Sequence, residues 1–104
     1  MAAQHGWVAP LPPEGASEIL YRTVDRAAEL AAAQGVRSGD LARAGIVDRI
    51  VAELPDAAEE PKAFLARLSA ALEFELTSLI HCDKTERLAI RYRRYRNLGL
   101  HPEP

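Results

Sequence analysis

The chain is short of most features that announce a function. It has one cysteine, Cys82, among 104 residues. No internal disulfide can form, and the composition suits a reducing, cytoplasmic compartment. No apolar run approaches the ~18 residues of a membrane span, so no membrane partner is expected. The opening MAAQHGWVAP has no basic stretch followed by an apolar one, so no signal peptide is expected. There is no glycine-rich phosphate loop, no C-x-x-C, no H-x-x-x-H and no H-E-x-x-H, which removes the common nucleotide and zinc signatures. Internal repeats and low-complexity segments are also missing. The formal charge of −2 calls for neither nucleic acid nor an acidic membrane surface.

What is present is enough for one modest domain. Apolar residues make up 48% of the chain, which suffices for a core and excludes a disordered tail. The pattern predicts a mostly α chain with one or two short β-strands. Gly6 to Pro10 (GWVAP) is β-prone and predicts an edge or terminal strand closed by Pro10. Prolines 10, 12 and 13 stiffen an extended connection, and Gly15 is expected to let the backbone turn tightly. Ala16, Ile19 and Leu20 then recur at helical spacing. Thr23 is a candidate N-cap for a helix over Val24 to Gln34, stopped by Gly35. Ser38 opens a short helix closed by Gly45. Ile46 to Glu53 predicts a short strand, bounded by Gly45 and Pro55.

After Pro55 the character changes. DAAEEP supplies acids and then Pro61, which suits the first position of a helix. Phe64, Leu65, Leu68, Leu72, Leu76, Leu79 and Ile80 recur at spacings of three and four, which predicts a long amphipathic helix of about five turns. Asp83 and Glu86 form an Asp-x-x-Glu variant of the capping box, so a last helix starts near Lys84. Leu88, Tyr92 and Tyr95 line one of its faces. Gly99 is expected to stop it, leaving HPEP as tail. The chain divides into a strand–turn–helix and short-strand part over 6–54 and a helical hairpin over 55–99, together a single domain or domain fragment over 1–104.

Candidate chemistry is sparse. His5, His81 and His101 lie far apart, the first and last in tails. His81, Cys82 and Asp83 are adjacent at a helix junction. Neighbouring residues on a helix point in different directions, so neither a metal site nor a Cys/His nucleophilic pair is read there. Cys82 reads as a half-buried thiol. Glu73 and Glu75 splay apart and read as a solvated face rather than an acid/base pair. The segment Lys84 to Arg96 carries six basic residues against Glu86 alone, a net of +5. Its RYRRYR run interleaves arginine with tyrosine, a pattern that can stack on bases and bind phosphate. Tyrosines completing an apolar stripe, with arginines near a helix C-terminus, explain the run equally well. The acidic remainder of the chain makes nucleic acid the less favoured partner.

The order PLPPEGASEILYR, AAELAAAQGVRSGDLARAGIVDRIVAE, EEPKAFLARLSAALEFEL and ERLAIRYRRYRNLG resembles the C-terminal end of acyl-CoA carboxylase carboxyltransferases. It is most similar to the actinobacterial type with alpha-like and beta-like halves fused in one chain. The similarity runs from about Trp7 to Gly99, and the middle part also resembles the wider crotonase superfamily. The resemblance implies the C-terminal helical part of an α/β crotonase-like (ClpP/crotonase) domain. It implies transfer of a carboxyl group from carboxybiotin to acetyl-CoA or propionyl-CoA, with malonyl-CoA formation for fatty acid biosynthesis. Two pairs of backbone N–H groups would steady the enolate and the biotin ureido oxygen. They belong to glycine-rich segments upstream of the matching order, and no Gly-Gly-Ala stretch precedes Trp7.

No catalytic side chain is therefore expected in this chain. It would supply scaffold and subunit contacts and be inactive alone. The resemblance places Pro13, Glu14, Gly15 and Ala16 near the biotin side. No cofactor would be bound directly, and carboxybiotin would arrive on a partner carrier protein. Expected partners are the remaining carboxyltransferase segments or subunits, a biotin carboxyl carrier and biotin carboxylase, and acyl-CoA, in an oligomer. The alternative is a stand-alone helical binding module whose basic last helix meets an acidic protein or nucleic acid.

Overall fold

A computed structural model describes residues 1–98 and Leu100. Among these residues, five helices and two very short strands follow one another as β1 (Ala2–Ala3), α1 (Pro13–Tyr21), α2 (Ala27–Gln34), α3 (Ser38–Arg43), β2 (Ile50–Val51), α4 (Pro61–His81) and α5 (Lys84–Asn97). The mostly helical expectation holds. Gly99 as a helix stop, and the tail with His101, lie outside the described residues.

The strands pair in parallel, Ala2 opposite Ile50 and Ala3 opposite Val51. The Ala2 N–H donates to Arg49 O at 2.9 Å and the Gln4 N–H to Val51 O at 2.8 Å. This corrects the N-terminal strand expected at Gly6 to Pro10. The chain turns first, with the Gly6 N–H donating to Ala3 O at 2.9 Å. A Cβ at Gly6 would sit 3.1 Å from that oxygen, so the turn favours glycine. Beyond it, Trp7 makes an isolated antiparallel bridge to Arg37. Val8 N–H donates to Val36 O and Ser38 N–H to Gly6 O. Pro10 has no N–H with which to extend the pairing.

The second strand is likewise shorter than Ile46 to Glu53. Ile46 and Val47 both donate to Leu41 O, so they close α3 rather than enter the sheet. Gly35 and Gly45 adopt left-handed φ values of 61° and 72° where α2 and α3 end, as their expected stop roles require.

Pro12 precedes α1 in an extended conformation and Pro13 is its first residue. Gly15 lies inside that helix without positive φ, so it makes no tight turn and the sequence expectation is corrected. The turn comes later, at Arg22, whose φ of 60° ends α1. Thr23 does not cap α2. Its Oγ1 accepts from the Asp25 N–H at 3.2 Å, and α2 begins only at Ala27.

The link between α1 and α2 is made by Ser17, the one fully buried side chain among the described residues. Its hydroxyl donates to Thr23 O and accepts from the Arg26 N–H. A small polar residue can be buried here because both of its roles are satisfied.

The apolar core is small: Pro13, Ala16, Val36, Leu41 and Val51 among the described residues. No residue of α4 or α5 is buried. Leu65, Leu72, Leu76, Leu79 and Ile80 of the expected stripe are all exposed. The helix exists as the periodicity predicts, but among the described residues only Phe64 and Leu68 of its stripe are half-buried. The Cα radius of gyration is 16.9 Å, against ~13 Å for a closed domain of about 100 residues.

Three ion-paired arginines attach the two long helices. Arg67 donates from Nε to Ala52 O at 3.0 Å and pairs with Glu60, whose Oε1 also accepts the Leu54 N–H. Arg49 donates to Glu75 at 2.6 Å and lies 4.8 Å over the Phe74 ring. Arg94 holds α5 by donating from Nη1 to both Asp48 oxygens and from Nη2 to Gly45 O and Ile46 O. Glu75 is thus an ion-pair partner rather than part of a freely solvated face.

Ser17→Ala is expected to lower unfolding free energy by about 1 kcal/mol, because it removes the partner of two part-buried backbone groups, Thr23 O and the Arg26 N–H. Urea denaturation of the two proteins measures it, and an unchanged midpoint would contradict the assigned role.

Candidate functional site

The segment Pro13–Ala16 is the first turn of α1. Its residues divide by direction. Pro13 and Ala16 are buried, Gly15 is half-buried and Glu14 is exposed. Glu14 sits where a carboxylate suits the positive end of the helix. Pro13 forms part of the wall of a hollow of about 440 Å³ between the N-terminal segment and α2. Ala28, Ala31 and Ala32 floor this hollow, with His5, Trp7 and Arg37 at its edge. A Cβ built on Gly15 would meet only Leu11 Cδ1, at 3.5 Å. The first turn therefore offers an approachable stretch of backbone and one exposed carboxylate. It holds no acid/base pair and no nucleophile.

The His81–Cys82–Asp83 junction separates into three local tasks. His81 Nδ1 lies 2.7 Å from Thr77 O, a bond that puts the proton on that nitrogen. Cys82 is half-buried, and partial burial, helped by the Glu86 carboxylate, pushes its thiol above the ordinary range. A raised thiol is a poor nucleophile at neutral pH. Asp83 caps α5, accepting from Thr85 N–H at 2.8 Å and Glu86 N–H at 3.3 Å. Those two N–H groups hold its carboxyl below the usual range. The three side chains do not converge on one point, as their adjacency implied.

One cluster was invisible in the sequence. His5, Glu53 and Asp56 bring potential metal-ligand atoms within 4.8 Å of one another. His5 Nδ1 is 3.6 Å from Glu53 and 3.8 Å from Asp56. Glu53 is buried, but its oxygens already serve the chain. Oε2 accepts the His5 N–H at 2.7 Å and Oε1 accepts the Ala57 N–H at 3.0 Å. The cluster is accounted for as a fastening of the N-terminus. No local signal marks it, because 48 residues separate His5 from Glu53. Among the described residues, every buried side-chain nitrogen and oxygen has a partner.

A cleft of about 900 Å³ lies between α4 and α5, closed at one side by Ile46 and Asp48. It combines leucines with the basic face of α5.

The sequence profile described as "Acetyl co-enzyme A carboxylase carboxyltransferase-like" matches residues 1–99. The "Probable biotin-dependent acyl-coenzyme A carboxylase beta3 subunit" of Mycobacterium tuberculosis is 59% identical over 100 residues, 96% of this chain and 20% of that protein. The same-named protein of Mycobacterium bovis matches equally. The "Acetyl-coenzyme A carboxylase carboxyl transferase subunit alpha" of Rhizorhabdus wittichii is 39% identical over 97 residues, covering 92% of this chain and 31% of that subunit. The chain thus spans about a fifth of the first relatives and under a third of the last.

Two outcomes follow from this geometry. Gly15→Ala should raise unfolding free energy by about 0.5–1 kcal/mol, since Gly15 is helical and a methyl has room. Denaturant melts check the sign. The second concerns acid. Arg67, with the Leu54 N–H, depresses the Glu60 carboxyl, as backbone N–H groups depress Asp83. Their stabilisation is complete above the ordinary values of 4.5 and 3.8 and is lost as pH falls through the lower folded values. Glu60→Gln together with Asp83→Asn should make the acid limb of a melting-temperature–pH curve shallower, and an unchanged limb would contradict this.

Proposed function

Because the chain belongs to the acetyl co-enzyme A carboxylase carboxyltransferase-like family, we propose that it is the C-terminal segment of a biotin-dependent acyl-CoA carboxyltransferase. Its role is scaffold and subunit contact. The observation that carries this role is the largely unburied apolar face of α4 and α5 beside a small core, Pro13, Ala16, Val36, Leu41 and Val51 among the described residues. Burying a large aliphatic side chain is worth roughly 1.5–3 kcal/mol. Faces of this kind belong against other parts of an enzyme.

In the assembled enzyme a carboxyl group leaves carboxybiotin, delivered on a carrier protein, and joins the α-carbon of acetyl-CoA or propionyl-CoA as that carbon gives up a proton. The acetyl case makes malonyl-CoA for fatty acid biosynthesis in the cytoplasm. The partners are the remaining carboxyltransferase segments, the biotin carboxyl carrier and biotin carboxylase. The Pro13–Ala16 turn stands on the biotin-facing side. Its residues fit a wall rather than a cradle: Gly15 allows close approach of another group, since a Cβ there would meet only Leu11 Cδ1. No proton transfer is assigned to them.

Complementation tests the proposal. A beta3-type relative with its matching segment deleted is assayed for biotin-dependent malonyl-CoA decarboxylation, alone and after co-expression with this chain. Each piece alone should be inactive, and the pair should recover turnover. Turnover near about 1 s⁻¹ by this chain alone would defeat the scaffold role. Failure of the pair to assemble would defeat the family role. In the recovered enzyme, Gly15→Ala should lower turnover while stabilising this chain. Unchanged turnover would remove the turn from the biotin side.

A further inference from the structure

Lys84, Arg87, Arg91 and Arg94 recur at spacings of three and four, so they share one face of α5. That face looks into the 900 Å³ cleft against α4. The cations are not equivalent. Arg94 is neutralised by Asp48, and an Arg87 N–H is taken by Leu79 O at 3.0 Å. Lys84 and Arg91 form no ion pair among the described residues, and Arg91 lies 5.5 Å over the Tyr95 ring. Between them the cleft is apolar. Leu79, Leu88 and Leu98 are 52%, 42% and 42% exposed, too much open leucine for a finished surface.

We propose that the α4–α5 cleft is a docking groove for an acidic amphipathic helix of a partner protein. Leucines on the floor call for an apolar face, and uncommitted cations call for carboxylates beside it. The size agrees. A helix about 10 Å across with its side chains fills ~400 Å³ per turn, so the cleft takes about two turns. Nucleic acid fits less well. A phosphate track needs several free cations in line, and here two of the four are committed while Glu75 and Asp48 line the same cleft. The cleft is part of the unburied face on which the carboxyltransferase reading rests, and an acidic helix would be one of the parts that cover it.

The test uses the whole chain and three fluorescent probes at physiological salt. One is a synthetic leucine-faced helical peptide with glutamates on its polar face. The second has lysines in their place, and the third is a single-stranded oligonucleotide. The glutamate peptide should bind at least about tenfold tighter than either other probe. Lys84→Glu with Arg91→Glu should reverse the preference between the two peptides, with helical circular dichroism unchanged. Leu88→Asp should weaken both peptides. Equal binding of the two peptides, preference for the oligonucleotide, or no glutamate-peptide binding by about 100 µM overturns the proposal. So does a dimer that dissociates in the double-glutamate variant, because a second copy would then fill the cleft.

Discussion

The buried carboxylate of Glu53 is the point at which distant parts of the chain meet. One oxygen accepts the His5 N–H, the other accepts the Ala57 N–H, and the Glu53 N–H donates to the Gln4 side chain. A two-residue parallel pair is too short to hold itself. The carboxylate extends its hold beyond the last strand residue. The segment from Gln4 to Ala52 becomes a closed excursion carrying α1, α2 and α3. The exit point of α4 is fixed by the same group. Removing the side chain while keeping the backbone would leave the part-buried His5 and Ala57 N–H groups without these acceptors.

What the sequence disclosed followed the strength of local signals. Pro61, a seven-residue apolar stripe and the Asp83 cap mark α4 and α5 within a residue of their observed starts. The stops at Gly35 and Gly45 were legible because left-handed backbone favours glycine. The strands were not. β1 is two alanines, a poor strand composition, and exists only because β2 lies beside it. GWVAP has the better β composition, but it follows a turn and finds only the 36–38 loop to pair with.

Thr23 misled in a similar way. Its hydroxyl holds a local turn, while the start of α2 is served from nine residues upstream by Ser17. The candidate site was legible as a resemblance in Pro13–Ala16, and its burial pattern was not. Gly15 reads as a turn residue from its neighbours, yet Pro12 already sets the entry and the helix absorbs the glycine. The cleft between α4 and α5 depends on the relative placement of two helices, which no periodicity encodes.

The division of polar work between the two halves explains the radius of gyration. Around the sheet, buried hydroxyls and carboxylates satisfy backbone groups and allow a small core to close. In the helical half, arginines reach across the gap to carbonyls and carboxylates, and few apolar contacts follow. The first half is held by burial and the second by long side chains at its edges.

Arg94 shows how unevenly such an arrangement distributes tolerance to sequence change. Its guanidinium reaches a carboxylate and two main-chain carbonyls at once. Only a planar fork of five donors can do so, because a lysine ammonium is a single point on a flexible stem. Arg93 and Arg96 lie within two residues of it in an almost uniform run of arginines. Lysine at either of those positions keeps the charge of the helix and its direction. Lysine at 94 keeps the charge and loses the direction. A drift in codons that looks silent in net charge therefore separates this position from its neighbours, and the spelling of RYRRYR is strict at its fourth letter and loose at its third and last.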